Sequence, residues 1–175
     1  IHAMSNEQDM RRMGGLAPKL RFTWAMMLIG TLSLTGVGIP HVAGFAGFHS
    51  KDAIIEAAFA AHTAYDYAFW LLVAAAFMTA FYSWRLIFMT FHGPKRADHE
   101  TPEHARESPF VMLVVLAALG LGSVAAGFAF QHVFIGEGYK EFWGKALFEG
   151  QDNHIRDALH EVPGWVSWAS TLAML

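Results

Sequence analysis

Four uncharged, mostly apolar runs divide this chain: Thr23–Ser50, Tyr67–Trp84, Ser108–Gly136 and Val162–Leu175. A bilayer core about 30 Å thick takes about 20 residues of helix. The first and third runs reach that length, and the second does once Leu86–Phe91, beyond Arg85, is added. The pattern therefore predicts helices over Tyr67–Phe91, closed by His92–Gly93–Pro94, over Ser108–Phe134, and from Val162 onward. Thr23–Phe59 is a single apolar passage too long for one straight helix. Gly36, Gly38, Pro40, Gly44 and Gly47 fall inside it, and proline lacks the N–H a helix interior needs while glycine lowers helix propensity. The passage is expected to break near Pro40–Gly44. Ile1–Arg21 is polar and reads as a helix end followed by a turn at Gly14–Gly15 and Pro18. Ala60–Asp66 is a short connection, Lys95–Glu107 a charged loop, and Gly136–Glu161 a long polar loop.

These elements describe an all-α, polytopic membrane helix bundle with one discontinuous transmembrane helix, in a single membrane domain over residues 1–175. Composition agrees: 54% of the 175 residues are hydrophobic and 15% charged, against about 25% charged in soluble domains. The chain opens on Ile1 without a secretory signal pattern and stops at Leu175 inside an apolar run, so it reads as an interior piece of a longer protein. Lys and Arg set the expected orientation. Arg11, Arg12, Lys19, Arg21, Lys95, Arg96 and Arg106 fall on one side if each passage crosses once, and Lys140, Lys145 and Arg156 on the other. The richer side is expected in the cytoplasm. A net charge of −3 argues against nucleic acid as a partner, and the absence of cysteine excludes cysteine-held iron–sulfur or zinc sites and disulfides here.

One position conflicts with the apolar pattern. Lys51 follows the predicted break directly, in a passage otherwise free of charge from Thr23 to Ser50. A charged side chain at the bilayer centre costs about 2.5–3.5 kcal/mol on insertion scales. Ionisable groups beside interrupted helices at mid-membrane depth are the architecture of ion and proton routes, and a buried amine can exchange a proton near neutral pH. The competing reading places Lys51 nearer the interface, where its stem lies on apolar surface and its ammonium reaches water. Asp52 points about 100° away from Lys51 around a helix but shares a face with His49 and Glu56. The three form a candidate stripe of proton-exchanging groups. Against this, Asp52 would cap a helix N-terminus and Glu56 lie at the far interface. His41, beside Pro40, is a candidate in the same break, with a loop histidine in contact with water as the plainer reading.

Other features carry less. Arg85 near the end of its helix suits snorkelling. His99, Glu100, Glu103 and His104 give an H-E-x-x-x-H spacing, one residue too long for a zinc helix and interrupted by Pro102. Gly120, Gly122, Ser123 and Gly127 suit close helix packing, and Trp24, Trp70, Trp84, Trp165 and Trp168 suit interfacial belts. No metal-ligand set, phosphate loop or dinucleotide fingerprint occurs.

Three strings add a family. IHAMSNEQDMRRMGGL, GTLSLTGVGIPHVAGFAGFHSKDAIIEAA and FYSWRLIFMTFHG resemble the later part of the largest antiporter-like subunit of respiratory complex I, the NADH-quinone oxidoreductase chain L and mitochondrial chain 5 family. The GF-x-SKD-x-IIE string is the sharpest element, and His49 occupies its variable position. Specific motifs cover about Ile1–Gly93, and hydrophobic layout covers the rest. The resemblance implies a proton-translocating subunit that couples quinone reduction to pumping through a lysine matching Lys51, with Asp52 as its acidic neighbour, in a bacterial or mitochondrial inner membrane. It implies no cofactor in this chain; NADH, FMN, iron–sulfur clusters and quinone would belong to partner subunits. Other membrane subunits, especially a neighbouring antiporter-like one, and lipids would be its partners. The alternatives are a cation/proton antiporter subunit on the same fold and a passive scaffold subunit.

Overall fold

The structure, a computed structural model, describes residues 2–4, 7–40, 42–61, 67–96, 105–147, 150 and 155–174. His41, most of the Ala60–Asp66 connection and the His99–His104 string lie outside the described residues. The chain is mostly helical: α1 (Arg21–Thr35), α2 (Ala46–Ala60), α3 (Tyr67–Phe91), α4 (Phe110–Phe134), α5 (Tyr139–Trp143), α6 (Ile155–Ala158) and α7 (Gly164–Met174). Strands β1 (Gly38–Ile39) and β2 (Ala43–Gly44) pair antiparallel between α1 and α2. Helices α3 and α4 are each long and apolar enough to cross a membrane. Leu71, Phe77, Met78 and Phe81 on α3, and Val111, Leu119 and Leu121 on α4, are exposed. Large apolar side chains left out of a core in this number need a lipid or protein cover.

The chain forms two compact units. The first comprises Ile1–Leu32 and Phe81–Leu121. Its core is Met4, Met13, Leu16, Leu20, Ile87, Phe91 and Ala105, with Trp24 and Met27 packed against it. The opening segment is not the helix end its polarity suggested. It forms two short 3-10 turns, His2–Met4 and Met10–Arg12, and then irregular chain. At Gly14 and Gly15 the backbone takes positive φ values of 149° and 65°, so helix gives way to a path that follows the end of α3. There Ala17 N–H donates to the Phe91 carbonyl at 3.0 Å. A Cβ at Gly14 would fall on the Pro94 carbonyl oxygen, which is why the approach needs glycine. Arg96 ties the same region down, donating from Nε to the Met13 carbonyl at 3.0 Å and from Nη2 to the Met89 carbonyl at 2.7 Å. Met13–Ala17 is thus packed against the chain from Phe91 to Arg96. Glu107 accepts from the Phe22 and Thr23 N–H groups at 2.7 and 3.3 Å and from the Thr23 hydroxyl at 2.7 Å, closing the N-terminus of α1.

The second unit comprises Ser33–Ala80 and Gly122–Leu175. Ile55, Phe69, Ala76 and Val166 form its core, with Phe59, Leu72, Val73 and Val162 partly buried around them. Edge-on pairs among Phe59, Phe69 and Trp165 fill the space between α2, α3 and α7. The stretch Gly136–Glu161, expected as a loop, contains α5 and α6. Its aromatic residues explain this: Phe142 and Trp143 of α5 pack on Phe134 at the end of α4, with ring centroids 4.9 and 5.9 Å apart. Trp143 Nε1–H also donates to the Phe134 carbonyl at 3.3 Å.

Candidate functional site

Everything that makes the site lies in the second unit and starts from the end of α1. Thr35 is its last residue, and Gly36 follows with φ of 83°, a left-handed conformation suited to glycine. The chain then reverses in a hairpin. Gly38 pairs with Gly44 and Ile39 with Ala43, while Val42 N–H donates to the Ile39 carbonyl at 3.0 Å. That turn places Pro40 at its second position, where a fixed φ is an advantage. Gly38 and Gly44 both rest on the ring of Phe48, which is 5% exposed; a Cβ at either would meet ring carbons. Thus the break needs these glycines for proximity as well as for low helix propensity.

The two helix ends then satisfy each other. The last carbonyls of a helix and its first N–H groups have no partner within it. Lys51 Nζ, on the second turn of α2, donates to the Leu34 carbonyl at 3.0 Å and the Thr35 carbonyl at 3.4 Å. In the other direction, the Ser33 hydroxyl accepts from the Gly47 N–H at 3.3 Å, so α1 supplies a cap that Phe45, the N-cap residue of α2, cannot. Gly47 is where the backbones meet, and a Cβ there would overlap the Ser33 carbonyl oxygen. The ammonium sits at the negative end of the α1 dipole, where a cation is favoured.

Asp52 and the rest of the stripe take a different direction. His49, Asp52 and Glu56 line one cavity of about 470 Å³, together with Gln131 and Phe128 of α4 and Leu159. Asp52 does not cap a helix start, since α2 begins at Ala46. The His49 ring stands edge-on to Phe48 and Phe128, at centroid distances of 5.7 and 5.1 Å, and its Nε2 is buried without a hydrogen-bond partner among the described residues. Gly127 leaves the notch it occupies; a Cβ there would fall on the imidazole Cδ2. Glu56 accepts a hydrogen bond from the Ser167 hydroxyl of α7. The break thus has a cation on helix carbonyls on one side of α2 and a cavity holding two carboxylates and an imidazole on another. No group of three or more metal-ligating side chains occurs among the described residues. Of the small residues on α4, Gly120 lies against Met26 and Gly127 against His49, while Gly122 has open space around it. Arg85 is exposed.

Sequence reasoning found Lys51, Asp52, His49 and Glu56 but missed Ser33, Gln131 and Ser167. Ser33 carried a signal, being a polar residue in an apolar run three positions before the first glycine of the break. Ser167 lies 111 residues from Glu56, and no local pattern links them.

Comparison with known proteins shows the family. Residues 1–81 match the family model described as NADH:quinone oxidoreductase/Mrp antiporter, TM. The chain is 56% identical to the NADH-quinone oxidoreductase subunit L of Rhodobacter capsulatus over 82% of its length, covering 21% of that protein. It is 44% identical to the NADH-ubiquinone oxidoreductase chain 5 of Marchantia polymorpha over 89% of its length, and 37% identical to that of Chondrus crispus over 96%, covering 22% and 25% of them. The chain therefore spans about a fifth to a quarter of the curated relatives it matches. The chain therefore belongs to the membrane-protein family of NADH-quinone oxidoreductase subunit L and its mitochondrial chain 5 counterparts.

Proposed function

We propose that this chain is the lysine-bearing part of a proton-translocating subunit of an NADH-quinone oxidoreductase, in which energy released by quinone reduction elsewhere in the complex drives Lys51 between charged and neutral states. The observation that carries this reading is the seat of Lys51. Its ammonium rests on the open carbonyls of α1 in an apolar passage. At 15 residues each, α1 and α2 are about 22 Å long, too short to cross a core of about 30 Å singly. In this reading they are the two halves of one discontinuous transmembrane helix, with the hairpin and Lys51 at mid-depth. The freed backbone groups are satisfied by protein, as lipid requires.

Mechanistically, the seat makes the lysine's charge matter to the break. Protonated, Nζ holds two carbonyls with charge-assisted bonds and complements the helix dipole. Once the proton leaves, the same carbonyls lose the stronger donor and the junction loosens. Asp52, the next residue, opens on the cavity where His49 and Glu56 can pass a proton on, and Gln131 can order water beside them. His41 is a further candidate on this route. Moving one charge against 100 mV costs about 2.3 kcal/mol, a demand met by coupling to redox chemistry in partner subunits. Those subunits would hold NADH, FMN, iron–sulfur clusters and quinone. A neighbouring antiporter-like subunit and lipids would cover the exposed faces of α3 and α4, in a bacterial or mitochondrial inner membrane with the arginine-rich opening segment on the inner side.

The same hydrogen bonds favour one second reading, in which Lys51 is a permanently charged cap in a passive scaffold subunit. Lys51→Met in the assembled complex separates the two. Normal assembly with reduced proton pumping, and turnover slowed where the two are coupled, is the outcome expected of a proton carrier. Wild-type pumping in that variant leaves the scaffold.

A further inference from the structure

Glu56 is the cavity group farthest along α2 from the break, and a second helix fixes it. α7 follows Pro163, and its Val166 is fully buried against Ile55 and Phe69. That contact sets the rotation of α7 on α2 and turns the next residue, Ser167, toward the residue after Ile55. Ser167 is 3% exposed and donates to Glu56 Oε1. The Thr171 hydroxyl, one turn on, donates to the Ser167 carbonyl at 3.0 Å, so both buried polar side chains of this face are engaged.

A serine hydroxyl has a property that suits a carboxyl group that changes protonation state. It carries one donor and two acceptor sites and rotates about a single bond. Toward a carboxylate it donates; toward a carboxylic acid it accepts, and no covalent bond at the serine is made or broken. A backbone N–H or a lysine ammonium could donate to either form but could not accept the O–H of the protonated acid. An alanine would leave a half-buried carboxyl without that partner in either state.

We propose that Ser167 is a positioning residue for Glu56, its hydroxyl turning from donor to acceptor as Glu56 takes up a proton and so holding the carboxyl at the cavity in both states. This rests on the reading of the cavity as a proton route. It gives α7 a part in that route, which neither the family match over residues 1–81 nor the SKD string includes.

The test uses the assembled complex with the complete subunit carrying Ser167→Ala, Ser167→Thr or Lys51→Met. Complex abundance, NADH–quinone turnover against pH, and the protons moved per electron are measured for each. Ser167→Ala should assemble normally, lower pumping-coupled turnover about ten- to a hundredfold, as loss of a hydrogen bond to a charged group implies, and displace the pH profile by about one unit. Ser167→Thr keeps the hydroxyl and should stay near wild type. If Ser167→Ala does not accumulate, Ser167→Cys, with similar volume and a weak donor, should show the same displaced profile. Wild-type rate and profile in Ser167→Ala, or an unshifted profile in Ser167→Cys, overturns the proposal, and so does equal impairment in Ser167→Thr. If these appear while Lys51→Met is impaired, only this inference falls; wild-type pumping in Lys51→Met removes the proton route itself.

Discussion

Helix α1 is closed at both ends by charged side chains from elsewhere in the chain, and the two closures differ in what they cost. At the N-terminus Glu107 takes two backbone N–H groups and a hydroxyl. It comes from a charged stretch beside the polar opening segment, where water can solvate whatever protein does not. At the C-terminus Lys51 takes two carbonyls from within an apolar passage. Each charge has the sign that the helix dipole favours. The capping arithmetic is alike, but on the proposed reading the solvent is not. A carboxylate near water gives a modest stabilisation, whereas a lysine at mid-membrane depth, as proposed for Lys51, would cost about 2.5–3.5 kcal/mol before any contact is counted. The same local geometry is therefore a stability device at one end and a reason to look for function at the other.

The largest structural effect is expected where α1 and α2 touch. Gly47→Ala would drive a Cβ onto the Ser33 carbonyl. Backbone cannot rotate aside as a side chain can, so overpacking of about 3 kcal/mol or more should cut the abundance of assembled complex at least tenfold by native gel. Normal abundance would mean the helix ends do not approach so closely. Gly127→Ala should act next, displacing the His49 ring and altering turnover by several-fold with little loss of abundance.

At the other end of α1 the effect should be smaller and confined to stability. Glu107→Ala removes a cap worth about 1–2 kcal/mol and should lower the thermal midpoint by a few degrees, while protons moved per electron remain at the wild-type value. A pumping defect in Glu107→Ala at normal abundance would erase the contrast between the two ends. Smallest of all is the effect at Asp9, whose carboxyl is held at about 2, chiefly by the side-chain hydrogen bond from Arg11 and then by the Arg11 N–H. A depressed value means the contact is fully present above the ordinary aspartate value near 3.8 and is lost as pH falls toward 2. Carbon-13 NMR of labelled Asp9 should show its titration move upward in Arg11→Gln, with no change in pumping.

Much of this was readable along the chain because lipid imposes long uncharged runs. Tyr67–Phe91 begins and ends where its run and its His-Gly-Pro closure say it should. The break was readable as well, since glycine and proline act locally. Its form was not: the hairpin depends on Gly38 and Gly44 resting on Phe48, a contact the residue pattern does not encode. The stripe of His49, Asp52 and Glu56 follows from helical spacing, but the partners that turn it into a cavity come from α4 and from the chain near Leu159. The Lys51 contact escaped for a similar reason. Its partners are backbone carbonyls, and every residue has one, so only the path of the hairpin determines which two the amine meets. The opening segment misled in the other direction: its polarity suggests a helix end before Gly14–Gly15, but His2–Met4 and Met10–Arg12 form only short 3-10 turns, although the turn expected at the two glycines is there.

If Lys51 gives up and regains a proton during turnover, Lys51→Arg should expose it. An arginine can reach the Leu34 and Thr35 carbonyls and keep the cap, but its guanidinium stays protonated at any accessible pH. The measurement is the number of protons moved per electron in assembled complex carrying Lys51→Arg. A proton carrier predicts a lowered ratio despite normal assembly, close to that of Lys51→Met; a wild-type ratio with wild-type turnover would show that a fixed positive charge is all the break requires and that Lys51 carries no proton.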